Sequence, residues 1–159
     1  MVTTQSIAEP PVITPARPSA TPRSGIPPLQ LRVLVADDNR DAADILGGLF
    51  MLAGAEVRVA YDGPSAAAIA VEFHPDAGVF DVNMPRMDGW ELARRVRAAT
   101  GGRPLLLIAV SGAGRPDAAR QAAVAGFNLH LTKPADPREL VATLSEFDLW
   151  LRAGADDHR

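Results

Sequence analysis

The chain has 159 residues, 47% of them hydrophobic, a formal net charge of −3 and no cysteine. That length suits one domain with a single core plus a tail. The missing thiols exclude disulfides, thiolate catalysis and cysteine-based metal sites, and the slightly acidic balance argues against DNA or RNA binding by this chain itself.

Residues 1–29 hold seven of the 14 prolines among Ser, Thr and Ala. Such a composition cannot bury a core and reads as a disordered, partly polyproline tail, either a passive extension or a ligand for a proline-recognising partner. It contains no apolar signal region, and no later run approaches the ~20 apolar residues of a membrane span, so a cytoplasmic location is expected.

From Leu31 onward strand and helix patterns alternate. Val33-Leu34-Val35-Ala36 is an apolar strand, and Asp37-Asp38-Asn39 turns the chain and caps a helix. Ala42, Ile45, Leu46, Leu49 and Ala53 recur at helical spacing up to Gly54, so they are assigned to the inward face. Gly47 and Gly48 weaken that helix by roughly 1 kcal/mol each relative to alanine, for no reason legible in the sequence. Glu56 to Tyr61 alternates polar and apolar as a strand with one wetter face. Asp62-Gly63-Pro64 caps a second helix with Ala66, Ile69, Ala70 and Phe73 inward, and His74 at its end reads as a cation near the carbonyl dipoles.

The third strand, Ala77-Gly78-Val79-Phe80, leads to Asp81, and Pro85 keeps the following loop from becoming helix. Asp88 and Glu91 bracket a third helix start as a capping box, with Leu92, Ala93 and Val96 inward until Gly101-Gly102. Leu105 to Val110 is a continuous apolar strand followed by Ser111-Gly112-Ala113-Gly114. A fourth helix runs from Pro116-Asp117 to Gly126, and a fifth strand alternates Phe127, Leu129 and Leu131 with Asn128, His130 and Thr132. After Lys133-Pro134 a last helix is marked by Leu140, Leu144, Phe147 and Leu151, and the polar residues through Arg159 are expected to fray.

Five strands alternating with five helices predict an α/β fold, a five-stranded parallel sheet with helices on both faces. Strands one, three and four are apolar throughout, as central parallel strands are, whereas two and five alternate, as edge strands do. With right-handed crossovers the order becomes 2-1-3-4-5, the flavodoxin-like doubly wound arrangement. Ligands in such a sheet sit beyond the carboxyl ends of the strands.

Those ends carry Asp37 and Asp38, Asp81, Ser111 and Lys133. Three converging acids repel one another and call for a cation, and an oxygen-only set suits a hard ion such as Mg2+. Lys133 is the only lysine beside 15 arginines: either a remnant of arginine-rich composition or a place that needs a compact ammonium. Taken together, Asp81 reads as a carboxylate nucleophile able to form an acyl phosphate. Asp38, with Asp37, holds the ion, Ser111 offers a hydroxyl to one phosphoryl oxygen, and Lys133 pairs with another.

In this order and spacing, Val33 to Asn39, Asp81-Val82-Asn83-Met84-Pro85-Arg86-Met87-Asp88-Gly89, Ser111 and Leu131-Thr132-Lys133-Pro134 carry a likeness. The stretch from about Leu31 to Leu151 resembles a response-regulator receiver domain of bacterial two-component signalling, similar to receivers of hybrid histidine kinases. The resemblance divides the chain into a tail (1–29), a receiver domain (30–151) and a polar C-terminal tail (152–159). It implies phosphorylation at Asp81, with Mg2+ held by Asp38, Asp81 and the Asn83 backbone carbonyl, assisted by Asp37. It also implies Ser111 as switch hydroxyl and Lys133 as phosphate partner, often before a cis proline as at Pro134. The donor would be a sensor histidine kinase or a histidine phosphotransfer protein. Catalysis would be limited to the chain's own phosphotransfer and autodephosphorylation.

Two positions depart from the pattern. His130 stands where the family usually places a switch Tyr or Phe, and Gly112 where alanine is common. Two readings of His130 stand side by side, a switch residue and a half-exposed edge-strand residue. With no effector domain following the fifth helix, output is expected through a protein contact on the fourth helix, fifth strand and fifth helix. A flavin site would want a Ser/Thr-rich loop where Asp37 and Asp38 stand, the dinucleotide fingerprint lacks its third glycine after Gly114, and an aspartate phosphatase would want an acid at Asn83. The remaining alternative is a receiver-like interaction module that is not phosphorylated.

Overall fold

The computed structural model describes residues 27–113 and 116–157. Most of the proline-rich tail, Gly114, Arg115 and the last two residues lie outside them, and with them the expectation of disorder for residues 1–26. Five strands, β1 (Arg32–Ala36), β2 (Glu56–Ala60), β3 (Ala77–Asp81), β4 (Leu106–Ser111) and β5 (Leu129–Thr132), alternate with five helices. These are α1 (Arg40–Leu52), α2 (Gly63–Phe73), α3 (Gly89–Thr100), α4 (Ala118–Ala125) and α5 (Pro137–Asp156). All pairings are parallel and the order is β2-β1-β3-β4-β5, as the strand patterns predict.

Apart from Arg32, Asp81 and Ser111 at their ends, the central strands are apolar because each face carries its own core. On one side Leu34, Ala36, Phe80, Leu107 and Ala109 pack with residues of α2, α3 and α4. On the other Val33, Val35, Val79, Ile108 and Val110 meet Ala43 and Phe50 of α1 and Leu140 and Leu144 of α5. Asp62 and Asp88 cap their helices as expected, accepting from the N–H groups of Ser65 and Glu91. The Glu91 carboxylate does not complete a capping box, because it pairs with Arg94 and Arg95 instead.

The inward face of α1 differs from the expected one. Ala43, Gly47 and Phe50 are buried, whereas Ile45 is exposed and Ala42, Leu46 and Leu49 line a groove toward α5. Gly47 supplies the reason: a Cβ there would lie 2.8 Å from Val59 Cγ2, so α1 rides on β2 through its glycine and the rest of the helix rolls accordingly. Gly48 has open space around it and nothing in the structure explains it.

Packed structure continues past residues 30 and 151 at the two ends. Leu29 is buried, and its N–H bonds to the Ala53 carbonyl. Helix α5 continues to Asp156, through the first five residues of the expected polar tail. One clasp joins the two extensions. The buried Asp148 accepts from the Gln30 N–H (2.9 Å) and from Arg152 (2.5 Å), and Arg152 also donates to the Pro28 carbonyl. Asp148→Ala strands the Gln30 N–H and frees Arg152, which is partly hydrated already, so a loss of about 2 kcal/mol is expected in urea unfolding. An unchanged urea midpoint would show the clasp to be ornamental.

Candidate functional site: a carboxylate cluster at the sheet's C-terminal edge

The parallel register delivers the site. Ala36 is level with Phe80, Asp81 with Val110, and Ser111 with Thr132. Asp37 and Asp38 therefore leave β1 beside Asp81, the last residue of β3, while Ser111 ends β4 and Lys133 follows β5. Carboxylate oxygens of Asp37, Asp38 and Asp81 lie within 4.8 Å of one another, as the sequence predicts for this set. Lys133 reaches into the cluster, its Nζ 3.3 Å from Asp81 Oδ2 and 3.6 Å from Asp37 Oδ2. The Lys133–Pro134 peptide is cis, and the Lys133 N–H donates to the Ser111 carbonyl at 2.7 Å.

Asp81 is only 4% exposed. Burial is the chief reason its carboxyl is pushed up to about 6, and the Asp37 charge adds to it. The Asn83 N–H, donating to Oδ1 at 3.1 Å, and the Lys133 ammonium pull the other way without cancelling the rise. Asp37 Oδ1 accepts from the Asn39 N–H, so one oxygen of that acid fixes the turn while the other faces Lys133. The donor set is all oxygen and lacks imidazole, which fits a small hard divalent ion better than zinc or copper.

Two glycines hold the loop after Asp81 in place. A Cβ on Gly89 would lie 2.6 Å from the Asp81 carbonyl oxygen and 2.8 Å from Val82 Cα. A Cβ on Gly63 would lie 2.5 Å from Met87 Cβ. Arg86, at φ 69°, pairs with Asp62 across the loop at 3.1 Å. In sequence Gly63 was part of a helix cap and Gly89 the last residue of the Asp81 motif, and neither showed this close approach, which leaves no local signal.

Ser111 is fully buried and its Oγ lies 2.6 Å from His130 Nε2. Ala109 and Ser111 share a face of β4, and His130 pairs with Ala109, so the imidazole points to the same side. The sequence placed Ser111 at this edge and His130 within the fifth strand, yet nothing in it showed that they touch. Equally absent from it was the groove of about 480 Å³ beside the cluster, lined by Ile45, Leu46 and Leu49 of α1, Lys133, Pro134 and Leu140.

The matching family model is that of the response regulator receiver domain, over residues 33–145. An uncharacterised 14.6 kDa protein of Leptolyngbya boryana is 38% identical over 120 residues, covering 76% of this chain and 92% of that one. The response regulator MprA of Mycobacterium bovis is 33% identical over 118 residues, 73% of this chain, which spans about half (50%) of that regulator's length. Among solved structures, a putative response regulator from Chloroflexus aurantiacus superimposes with a TM-score of 0.65 at 32% identity, over 74% of this chain and 97% of that one. Fold, carboxylate cluster and relatives agree: the chain belongs to the response regulator receiver domain family.

Proposed function

We propose that this receiver domain is a phosphoacceptor, in which Asp81 takes a phosphoryl group from a histidine kinase or histidine phosphotransfer protein and passes the signal on by protein contact. The observation that supports it most is Asp81 itself, a nearly buried carboxylate held between a single ammonium and two further carboxylates. An Asp81 oxygen forms the new P–O bond as the P–N bond to the donor imidazole breaks and its electron pair returns to the ring nitrogen. Asp37, Asp38, Asp81 and the Asn83 carbonyl would hold Mg2+, which supplies neutralisation of phosphoryl charge. Lys133 binds one phosphoryl oxygen and Ser111 another, so the step is one of positioning and electrostatics. The same groups admit water for autodephosphorylation.

The donor must bring its imidazole to Asp81, and the groove between α1 and the start of α5 opens beside that residue with an apolar lining suited to a helix. For output through α4 and α5, Val124 on α4 and Leu149 and Trp150 on α5 are exposed apolar side chains.

Acetyl phosphate with Mg2+ is expected to label the chain, and Asp81→Asn to remove the label. A chain that stays unlabelled and gives no spectral change with beryllofluoride is instead an unphosphorylated interaction module. Lys133→Arg keeps the charge but replaces a compact ammonium by a planar fork at 3.3 Å from Asp81. Accumulation of phosphoprotein in that variant is expected to fall roughly tenfold. Wild-type accumulation would mean that positive charge alone suffices.

A further inference from the structure

Helix α5 ends in an aromatic patch. Phe147 and Trp150 stack with ring centroids 5.7 Å apart, and Trp150 is 61% exposed. Next to Trp150 a shallow notch is lined by Ala153, Asp156 and Asp157, and among the described residues only α5 contributes to it. An exposed aromatic stack beside two carboxylates has the character of a contact surface for a segment that is both apolar and cationic.

The chain carries such a segment, and the fold roots it at this end of α5. Within residues 10–26 the only charged side chains are Arg17 and Arg23, set among Pro15, Pro18 and Pro22. Pro15 and Pro18 are one polyproline turn apart, so in that conformation they share a face suited to an aromatic ring. The root of the tail is fixed close by in sequence: Arg152 donates to the Pro28 carbonyl and Asp148 accepts from the Gln30 N–H.

The tail is long enough to reach the patch. Trp150 lies about 200° round the helix from Asp148, so a segment leaving the clasp passes half the circumference of α5, roughly 17 Å. Five residues separate Pro28 from Arg23 and thirteen separate it from Pro15. At ~3.1 Å per residue these extend to ~16 Å and ~40 Å.

We propose that residues 15–23 dock in cis on the Phe147–Trp150 patch, with Arg17 and Arg23 facing Asp156 and Asp157. Patch, clasp and segment all lie outside the residues 33–145 that match the receiver family, so the contact is this chain's own addition to the domain. The tether supplies an effective concentration of about 1 mM, so a contact with a Kd of only ~0.1 mM is about nine-tenths occupied. Seated there, the segment covers Trp150, and an output partner using that side chain has to displace it. The docking itself does not depend on phosphorylation of Asp81.

The test uses the full chain. It has no cysteine, so Ser19→Cys gives a single thiol for a nitroxide label inside the segment. The Trp150 indole N–H is expected to relax faster through the label, with Trp90 on α3 as the internal reference. Adding Arg17→Glu and Arg23→Glu is expected to lower that enhancement roughly threefold, and high salt to lower it in the unsubstituted segment. Both arginines precede Leu29, the first buried residue described, so these substitutions leave the packed core untouched. No enhancement, or equal enhancement with and without the two arginines as a bare tether gives, would overturn the proposal. Enhancement passed to a ¹⁵N-labelled chain from a separate nitroxide-labelled one would put a second copy on the patch and overturn docking in cis. Neither outcome touches the phosphoacceptor reading, which acetyl phosphate labelling of Asp81 decides on its own.

Discussion

In Mg2+-free buffer at pH 7, Asp81→Asn is expected to unfold at a higher temperature than the wild type, although it has lost the proposed phosphoacceptor. The native carboxyl titrates at about 6, above its ordinary value, chiefly because it is buried. Between roughly pH 4 and 6 the native chain keeps a proton that the unfolded chain has released. Stability therefore falls as pH rises through that window, and the full cost stands above about 6. A shift of this size corresponds to about 3 kcal/mol. Asparagine keeps an oxygen for the Asn83 N–H, while Lys133 retains Asp37, so a net gain of about 2 kcal/mol and roughly 5 °C is expected at pH 7. At pH 4 the two melting curves should nearly coincide. Identical midpoints at both pH values would mean that the site does not strain the fold. Mg2+ should raise the wild-type midpoint and leave the variant's much less changed, since the cation offsets the cost of the buried charge.

The second large effect is expected from a single methyl group. Gly89→Ala places its Cβ 2.6 Å from the Asp81 carbonyl oxygen and 2.8 Å from Val82 Cα, both of them backbone atoms that cannot swing aside. The start of α3 or the loop after Asp81 has to move, at a cost of about 3 kcal/mol. Because the Asn83 carbonyl rides on that loop, the variant should also bind beryllofluoride with Mg2+ more weakly. Gly48→Ala is the control: it meets nothing within 4 Å on the helix α1, and it should stabilise by up to ~1 kcal/mol. Urea unfolding of the pair decides the matter. A Gly89→Ala chain as stable as the wild type would show that the loop yields easily and does not fix the site.

Much of this protein was legible before any tertiary contact was known, and α1 shows where legibility stopped. Its existence, its Asn39 cap and its end near Gly54 follow from local chemistry. Its inward face does not, because the apolar stripe of Ile45, Leu46 and Leu49 is as good a core face by periodicity as Ala43, Gly47 and Phe50. The choice falls to whichever face lets the backbone approach β2, and Gly47 wins against Val59. The stripe left over becomes a wall of the groove beside Asp81.

The site divides in the same way. Asp37, Asp38, Asp81, Ser111 and Lys133 were readable because parallel strands send all their carboxyl ends to one edge, so position at a strand end amounts to position in space. The sequence by itself thus determined the strand order, the set of residues gathered at that edge and the family likeness. Only the tertiary structure decided which atoms touch: Lys133 between Asp37 and Asp81, Ser111 on His130, Gly63 and Gly89 under the loop, and Asp148 clasping Gln30 to Arg152. Periodicity and turn chemistry are properties of neighbours along the chain. A 2.6 Å contact between residues 19 apart, or a close approach that spares no room for a Cβ, is set by how whole elements pack.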